Sequence, residues 1–358
     1  MNIFTEYVAV DIGTHSLKFF SVSGGDSGGA YIISDCREEA LPPGLICGGF
    51  TNPTISQIAK FTEIFQKTMS RISSPKAGLI VGLPDRWVKL HLLEMKLKPE
   101  EVASSEYISW RLKKTLPLPS PDTIIDHQIL SQTEIDNVLQ CNILAGLLRK
   151  EIVDLLSEIF LNLKIEVMAF DTSTLGVYNL LEDLHPESTL DRNVIMCHVG
   201  HEATVVKIFQ NGILRYERVI EVGGEEFSRL LGESENLPFD QAHTLKTKRS
   251  FFPITAEDIL TKFQQNQAIK KIFGNWLREL NVTFRFYQDK FKVMHLPRIY
   301  LTGGSCLFDG IAEFIADYFE TPCERFNPLA EIPTTHKCSP DILAQGPQFA
   351  PCMGLLSR

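Results

Sequence analysis

Two stretches of the chain, YVAVDIGTHSLKFFSV at residues 7–22 and VIMCHVGHEATVVKI at 194–208, share one shape. Each is an apolar β-forming run that breaks at a glycine, passes a Ser or Thr within four positions, and resumes as a second apolar run. A strand, glycine turn and strand that recur in both halves predict a duplicated α/β architecture, with a small ligand held in a cleft between two similar halves. The copies differ in one group: the first carries Asp11 where the second carries His198.

The pattern between the two copies fits that plan. Residues 7–12 and 16–22 read as a hairpin, 30–35 as a further strand, 55–72 as an amphipathic helix and 77–84 as a short buried strand. Residues 85–164 read as a compact unit of their own, comprising strand WVKLHLLEM, a helix from Pro99 to Leu116, the turn PLPSP, two further strands and helix KEIVDLLSEIFLNL. Strand IEVMAF and helix DTSTLGVYNLLEDL follow. The second half adds a helical stretch from 225 to 287 and then PRIYLTGGSCLFDGIAEFIADYF, a strand, glycine turn and helix.

At 358 residues the chain exceeds a single core, so two or more subdomains are expected. Thirty-five basic against forty-four acidic residues give a net charge of -9, which argues against sequence-independent nucleic-acid binding. The eight cysteines form no C-x-x-C pair and read as reduced thiols. The N-terminus lacks the pattern of a signal peptide, and no apolar run is long enough to span a bilayer. The expectation is a cytoplasmic protein that reaches a membrane only through a partner.

DIGTHSLK offers chemistry suited to phosphate. A glycine at the bend lets backbone N–H groups gather at one spot, Thr14 and Ser16 add hydroxyls, Lys18 adds a positive charge, and Asp11 offers a hard oxygen to magnesium or its waters. D-x-G-x-x-S alone also marks ordinary turns. Here it is joined by VGHEAT, by EVGGEEF at 221–227, and by YLTGGSCLFDGI at 300–311, where Gly303 and Gly304 separate a strand from a helix.

The order of phosphate hairpin, connecting helix, second hairpin and glycine-rich base site resembles the actin, Hsp70 and sugar-kinase superfamily, of RNase H-like fold, over the whole chain. Within it, SSEYISWRLKKTLPLPSPDTIIDHQIL, GGEEFSRLL, PFDQAHTLK, LRELNVTFRFYQ, YLTGGSCLFDGI and QFAPCMGLLSR fall in the order of the PilM family, the FtsA-like proteins of type IV pilus assembly. Related type II secretion platform proteins share this arrangement.

The resemblance implies a first actin-like subdomain from 1–84 and 165–190, with 341–358 packing back, and an FtsA/PilM-type insert at 85–164. It implies a second actin-like subdomain from 191–225 and 296–340, and a smaller helical one at 226–295. It also implies an ATP-binding, Mg2+-dependent adaptor at the inner membrane that holds the cytoplasmic N-terminal tail of a PilN-like protein, with the insert as one wall of the groove. ATP binding would close the halves and shape that groove. Pilus motor ATPases and self-association are further partners in this reading; nucleic acid and direct membrane insertion are not.

By the same resemblance, Asp11, Gly13, Thr14, Ser16 and Lys18 match the first phosphate motif, and Gly200 and Thr204 the second. Gly223, Gly224 and Lys246 match the segment approaching ribose and phosphates, and Gly303, Gly304 and Ser305 the adenosine motif. Asp171 stands where the superfamily often orients the attacking water; DTSTLG reads equally as a helix N-cap.

His198 departs from the expected aspartate, and imidazole is a poor substitute around magnesium. A transition-metal site with Cys197 and His201 is disfavoured, because strand alternation turns Cys197 and His198 to opposite faces. A direct phosphate contact is a second reading. The preferred one is a tolerated change in a clamp with relaxed catalytic duty, leaving nucleotide binding with weak or absent hydrolysis. Trp110-Arg111 and Lys113-Lys114 read as a solvated helix face, and KRSFFP at 248–253 as a loop anchor with a secondary claim to partner contact. The rivals are a small-molecule kinase, for which no substrate motif is evident, and a filament-forming FtsA-like protein, against which the chain ends at MGLLSR without an amphipathic membrane helix.

Overall fold

The computed structural model describes residues 6–23, 32–72, 77–118, 120–186, 193–248, 252, 259–332 and 340–357. Contacts divide the chain into two compact units. Unit 1 comprises Met1–Tyr31, Arg37–Ser173 and Ile213–Arg215; unit 2 comprises Ile32–Cys36, Thr174–Gly212 and Tyr216–Arg358.

The elements begin with β1 (Glu6–Ile12), β2 (Ser16–Ser23), β3 (Ile32–Ala40), the short strands β4 (Ile46–Cys47) and β5 (Thr54–Ile55), α1 (Ile58–Ile72) and β6 (Gly78–Leu83). They continue with β7 (Lys89–Leu97), α2 (Pro99–Val102), α3 (Ser105–Thr115), β8 (Thr123–Ile135), β9 (Val138–Arg149), α4 (Lys150–Asn162) and β10 (Val167–Thr172). A five-stranded sheet has the order β10-β6-β1-β2-β3. In it β1 runs antiparallel to β2 and parallel to β6, which is parallel to β10. Val8, Ala9 and Val10 of β1 are all fully buried, as a central strand covered on both faces requires. Phe61 and Phe65 of α1 fill the core beside the sheet, with the Phe65 ring 5.3 Å from Phe19.

The insert has its own antiparallel sheet, β7-β9-β8, and its own core around Ile108, Leu112, Ile143 and Leu147. Asp136 and Asn137, both at positive φ, close the β8–β9 hairpin. Two expectations change here. The helix expected from Pro99 to Leu116 is interrupted, because the Ser104 hydroxyl accepts from Tyr107 N–H at 3.2 Å and so caps a new helix, α3. Helix α4, expected within the insert, instead buries Ile152, Leu156, Ile159 and Phe160 in the core of the first sheet, with Phe160 4.9 Å from Phe65.

The remaining elements are α5 (Val177–Leu184), β11 (Val194–Val199), β12 (Thr204–Gln210), β13 (Ile213–Ile220), α6 (Gly224–Glu235), α7 (Phe239–Lys248) and the 33-residue α8 (Ile259–Phe291). After them come β14 (Arg298–Thr302), α9 (Ile311–Phe319), β15 (Cys323–Arg325), α10 (Pro340–Ala344) and α11 (Gly346–Gly354). The second sheet has the order β13-β12-β11-β14-β15, with β11 antiparallel to β12 and parallel to β14. This repeats the pairing of β1 with β2 and β6, so the duplication read from the two hairpins is present in the topology. Helix α5, expected with the first half up to residue 190, groups with unit 2, where Tyr178 stacks on Phe209 at 3.9 Å and α11 packs against α5.

Candidate functional site

In unit 1 the parallel strands β1, β6 and β10 bring their carboxyl ends to one edge, the usual position for ligand groups in such sheets. Asp11 and Asp171 are both in register with Gly82 of β6, which places the two carboxylates in one row across three strands. Asp11 is 6% exposed, and burial pushes its carboxyl above the usual range, while Lys18 and a hydrogen bond with Ser173 act in the opposite direction. Asp85 and Glu38 add negative charge nearby. Sequence reading missed Ser173, Asp85 and Glu38. The usable signal for the first two was position, since Asp85 lies two residues beyond β6 and Ser173 one beyond β10.

Lys18 stands opposite Asp11 in the hairpin, donates to Ser16 Oγ at 2.8 Å, and lies 3.7 Å from Glu38. Ser16 in turn donates its hydroxyl proton to Glu38 at 2.7 Å. Gly13 N–H closes the turn on Ser16 O at 3.1 Å, so it is not one of the N–H groups gathered toward a ligand. Thr14 occupies the bend beside it, half-buried. Asp171 accepts from Thr172 N–H at 2.7 Å within β10. Its N-cap reading fails, because α5 begins after Gly176, five residues downstream.

Unit 2 gathers most of the second set. Gly200 N–H closes its turn on Ala203 O at 2.9 Å, as Gly13 does in the first hairpin. Gly200 O accepts from Gly224 N–H at 2.9 Å and from Ser305 Oγ at 3.1 Å, while Glu225 N–H donates to His201 O at 2.7 Å. The second hairpin is thus tied to the first turn of α6 and to the glycine turn after β14. Lys246, 5% exposed, reaches from α7 to donate to Gly224 O at 2.7 Å. Burial lowers its pKa to about 8, with Glu225 opposing the shift.

Four glycines in this cluster have steric reasons to be there: a Cβ on Gly223 would lie 2.6 Å from His201 O, and one on Gly200 2.9 Å from Ala203 O. A Cβ on Gly224 would overlap Ser305 Oγ and lie 3.1 Å from Lys246 Nζ. Gly303 has φ +91°, and a Cβ there would strike Val199 O and lie 3.1 Å from His198 Cε1. Gly223 and Gly304 flank them, and Gly303 N–H is held by Pro347 O at 2.8 Å.

Thr204 does not join the cluster. Its hydroxyl is fully buried, donates to Val222 O at 2.8 Å and accepts from Trp276 Nε1 at 3.0 Å, which makes it a tie between β12, α6's approach and α8. Ligand contact through that hydroxyl is excluded by its burial. His198 pairs through Nδ1 with Thr302 Oγ1 at 3.2 Å, whereas Cys197 on the opposite face is fully buried. Among the described residues no three His, Cys, Asp or Glu side chains converge to hold a metal. In KRSFFP, Phe252 is wholly buried among core aromatics; residues 249–251 and 253 lie outside the described residues. Among the described residues no helix is long and apolar enough to cross a membrane.

The family model described as "Type IV pilus assembly protein PilM" matches residues 9–358. The chain belongs to this family. Its fold is similar to that of the solved PilM-PilN type IV pilus biogenesis complex, with TM-score 0.77 and 22% identity over 98% of this chain and 97% of that one. It is also similar to the ethanolamine utilization protein EutJ from Carboxydothermus hydrogenoformans, with TM-score 0.53 and 12% identity over 98% and 88% of the chains. MreB 5 of Spiroplasma citri, solved bound to AMPPNP, gives TM-score 0.51 and 11% identity over 98% and 94%. No curated protein sequence matches. The fold is therefore the actin-like ATPase fold, and the role is in type IV pilus assembly.

Proposed function

We propose that the chain is an ATP-binding adaptor of the pilus assembly platform. The observation that carries this is the cluster in unit 2, where a buried lysine, the first turn of α6 tied to the second hairpin, and glycines with no room for a side chain come together. Such a cradle suits a nucleotide: Gly303 and Gly304 take the base against backbone, and Lys246 with the Gly223-Gly224 segment takes ribose and phosphate. When bound, Mg2+ would neutralise phosphate charge. Asp11 fits the role of orienting its waters, being a buried acid that stands cross-strand from Lys18. Asp171, in the same row as Asp11, suits the orientation of a water. With His198 in the second hairpin, hydrolysis is slow or absent.

The partner is the cytoplasmic N-terminal tail of a PilN-like inner-membrane protein, and the adaptor works in the cytoplasm, at the membrane only through that partner. Support comes from the family and from the similarity to a solved PilM-PilN complex. Within residues 85–164, the sheet β7-β9-β8 with its own core supplies one wall of the tail site. Synthetic tails of inner-membrane proteins encoded nearby test the adaptor role directly. One of them should bind saturably to the full chain, more tightly with ATP than without. Absence of binding for all tails, with ATP and without it, overturns the role.

A further inference from the structure

Helix α3 of the insert carries an outer face that nucleotide binding does not explain. Tyr107, Trp110, Arg111 and Lys114 are spaced three and four apart and so share one side of the helix. Trp110 is 49% exposed, whereas the other two tryptophans, Trp87 and Trp276, are fully buried. Lys114 Nζ lies 3.9 Å from the Trp110 ring, the Tyr107 and Trp110 rings are 5.7 Å apart, and Arg111 Cζ lies 5.9 Å from the Tyr107 ring. On the inner side Ile108 and Leu112 are sealed into the core, so the outer face is held rigidly.

Lys113 and Lys114 form no ion pair with any described residue, although the chain carries a net charge of -9. The helix dipole accounts for cations in a last turn, but not for an exposed indole among them. Trp, Tyr and Arg are the residue types that anchor protein interfaces, and a preorganised face lowers the cost of binding.

We propose that the outer face of α3 docks an acidic segment of a partner protein, with its carboxylates on Lys113, Lys114 and Arg111 and one apolar side chain on Trp110. Cations without a carboxylate partner among the described residues, on an acidic chain, select a negatively charged partner. A single exposed indole without an apolar stripe favours a protein segment over an anionic bilayer, which needs a continuous apolar face to enter. The proposal stands independently of nucleotide and tail binding.

Trp110 fluorescence in the full chain provides the readout, with W110F as the blank. The probe is a short synthetic Glu/Asp peptide with a central leucine. The comparison probes are the same peptide with lysines for the acids, and phosphatidylglycerol vesicles. Only the acidic peptide should give a saturable change, weakened about tenfold or more in K113E/K114E and by added salt. Circular dichroism checks the fold of that variant, and K113Q/K114Q serves if it unfolds. Equal response to acidic and basic peptides, no saturable response, or unchanged affinity in the charge variants overturns the proposal. So does a Trp110 response to vesicles without one to peptide.

Discussion

The methyl group that separates alanine from glycine has no room at position 224, where it would overlap Ser305 Oγ and crowd the Lys246 ammonium at 3.1 Å. Gly224→Ala should therefore displace one of the two groups that line the cradle and weaken ATP binding about tenfold, or ~1.4 kcal/mol. Adding Ser305→Ala removes the atom that clashes and should restore part of the affinity. Calorimetric titration of the two variants against the parent checks this, and equal affinity in G224A and the parent would remove Gly224 from the site. The order of glycines and lysine was legible in sequence, and the structure brings Gly200, Gly224, Lys246 and Ser305 together. The partners of Asp11 were not legible. Ser173, Asp85 and Glu38 come from three separate segments, and only strand order and register bring them to the same carboxylate.

Among the elements, β12 and α8 are joined by a buried chain in which Trp276 donates to Thr204 and Thr204 donates to Val222 O. Thr204→Val keeps the shape and leaves both partners unsatisfied, a loss of ~1–3 kcal/mol. Thermal or denaturant unfolding should register it, while ATP affinity stays unchanged; a large loss of affinity with intact stability would return Thr204 to the ligand. The sequence places this threonine beside the second hairpin's glycine, and strand alternation alone could not tell its inward side from the ligand side. The break between α2 and α3 was hidden for a similar reason. Apolar spacing continues across Ser104, and only the hydroxyl's bond to Tyr107 N–H starts a second helix. The assignment of α4 to the first core depends on which face meets Phe65, a contact separated by almost a hundred residues.

At the scale of the whole molecule, the duplication legible in two hairpins is present as two sheets with the same local pairing, β1 with β2 and β6, and β11 with β12 and β14. Acidic composition and scattered cysteines bounded the function without identifying it; the ordered motifs carried the family. The division at Ser173/Thr174 was less legible, because α5 has an ordinary amphipathic pattern and its grouping depends on Tyr178 meeting Phe209 and α11. The central claim is that this fold retains a nucleotide cradle built on Lys246. Burial holds the Lys246 pKa near 8, against an ordinary value of 10.5. Between those values the unfolded chain binds the extra proton, so this group's contribution to stability rises with pH there, while its attraction for phosphate falls. Equilibrium titration with ATP and Mg2+ from neutral pH to above 9 is the most direct measurement. The account predicts saturable binding that weakens as pH rises through about 8, and weaker binding without that dependence in Lys246→Met. No ATP affinity at any pH, or a Lys246→Met variant that binds as the parent does, would contradict it.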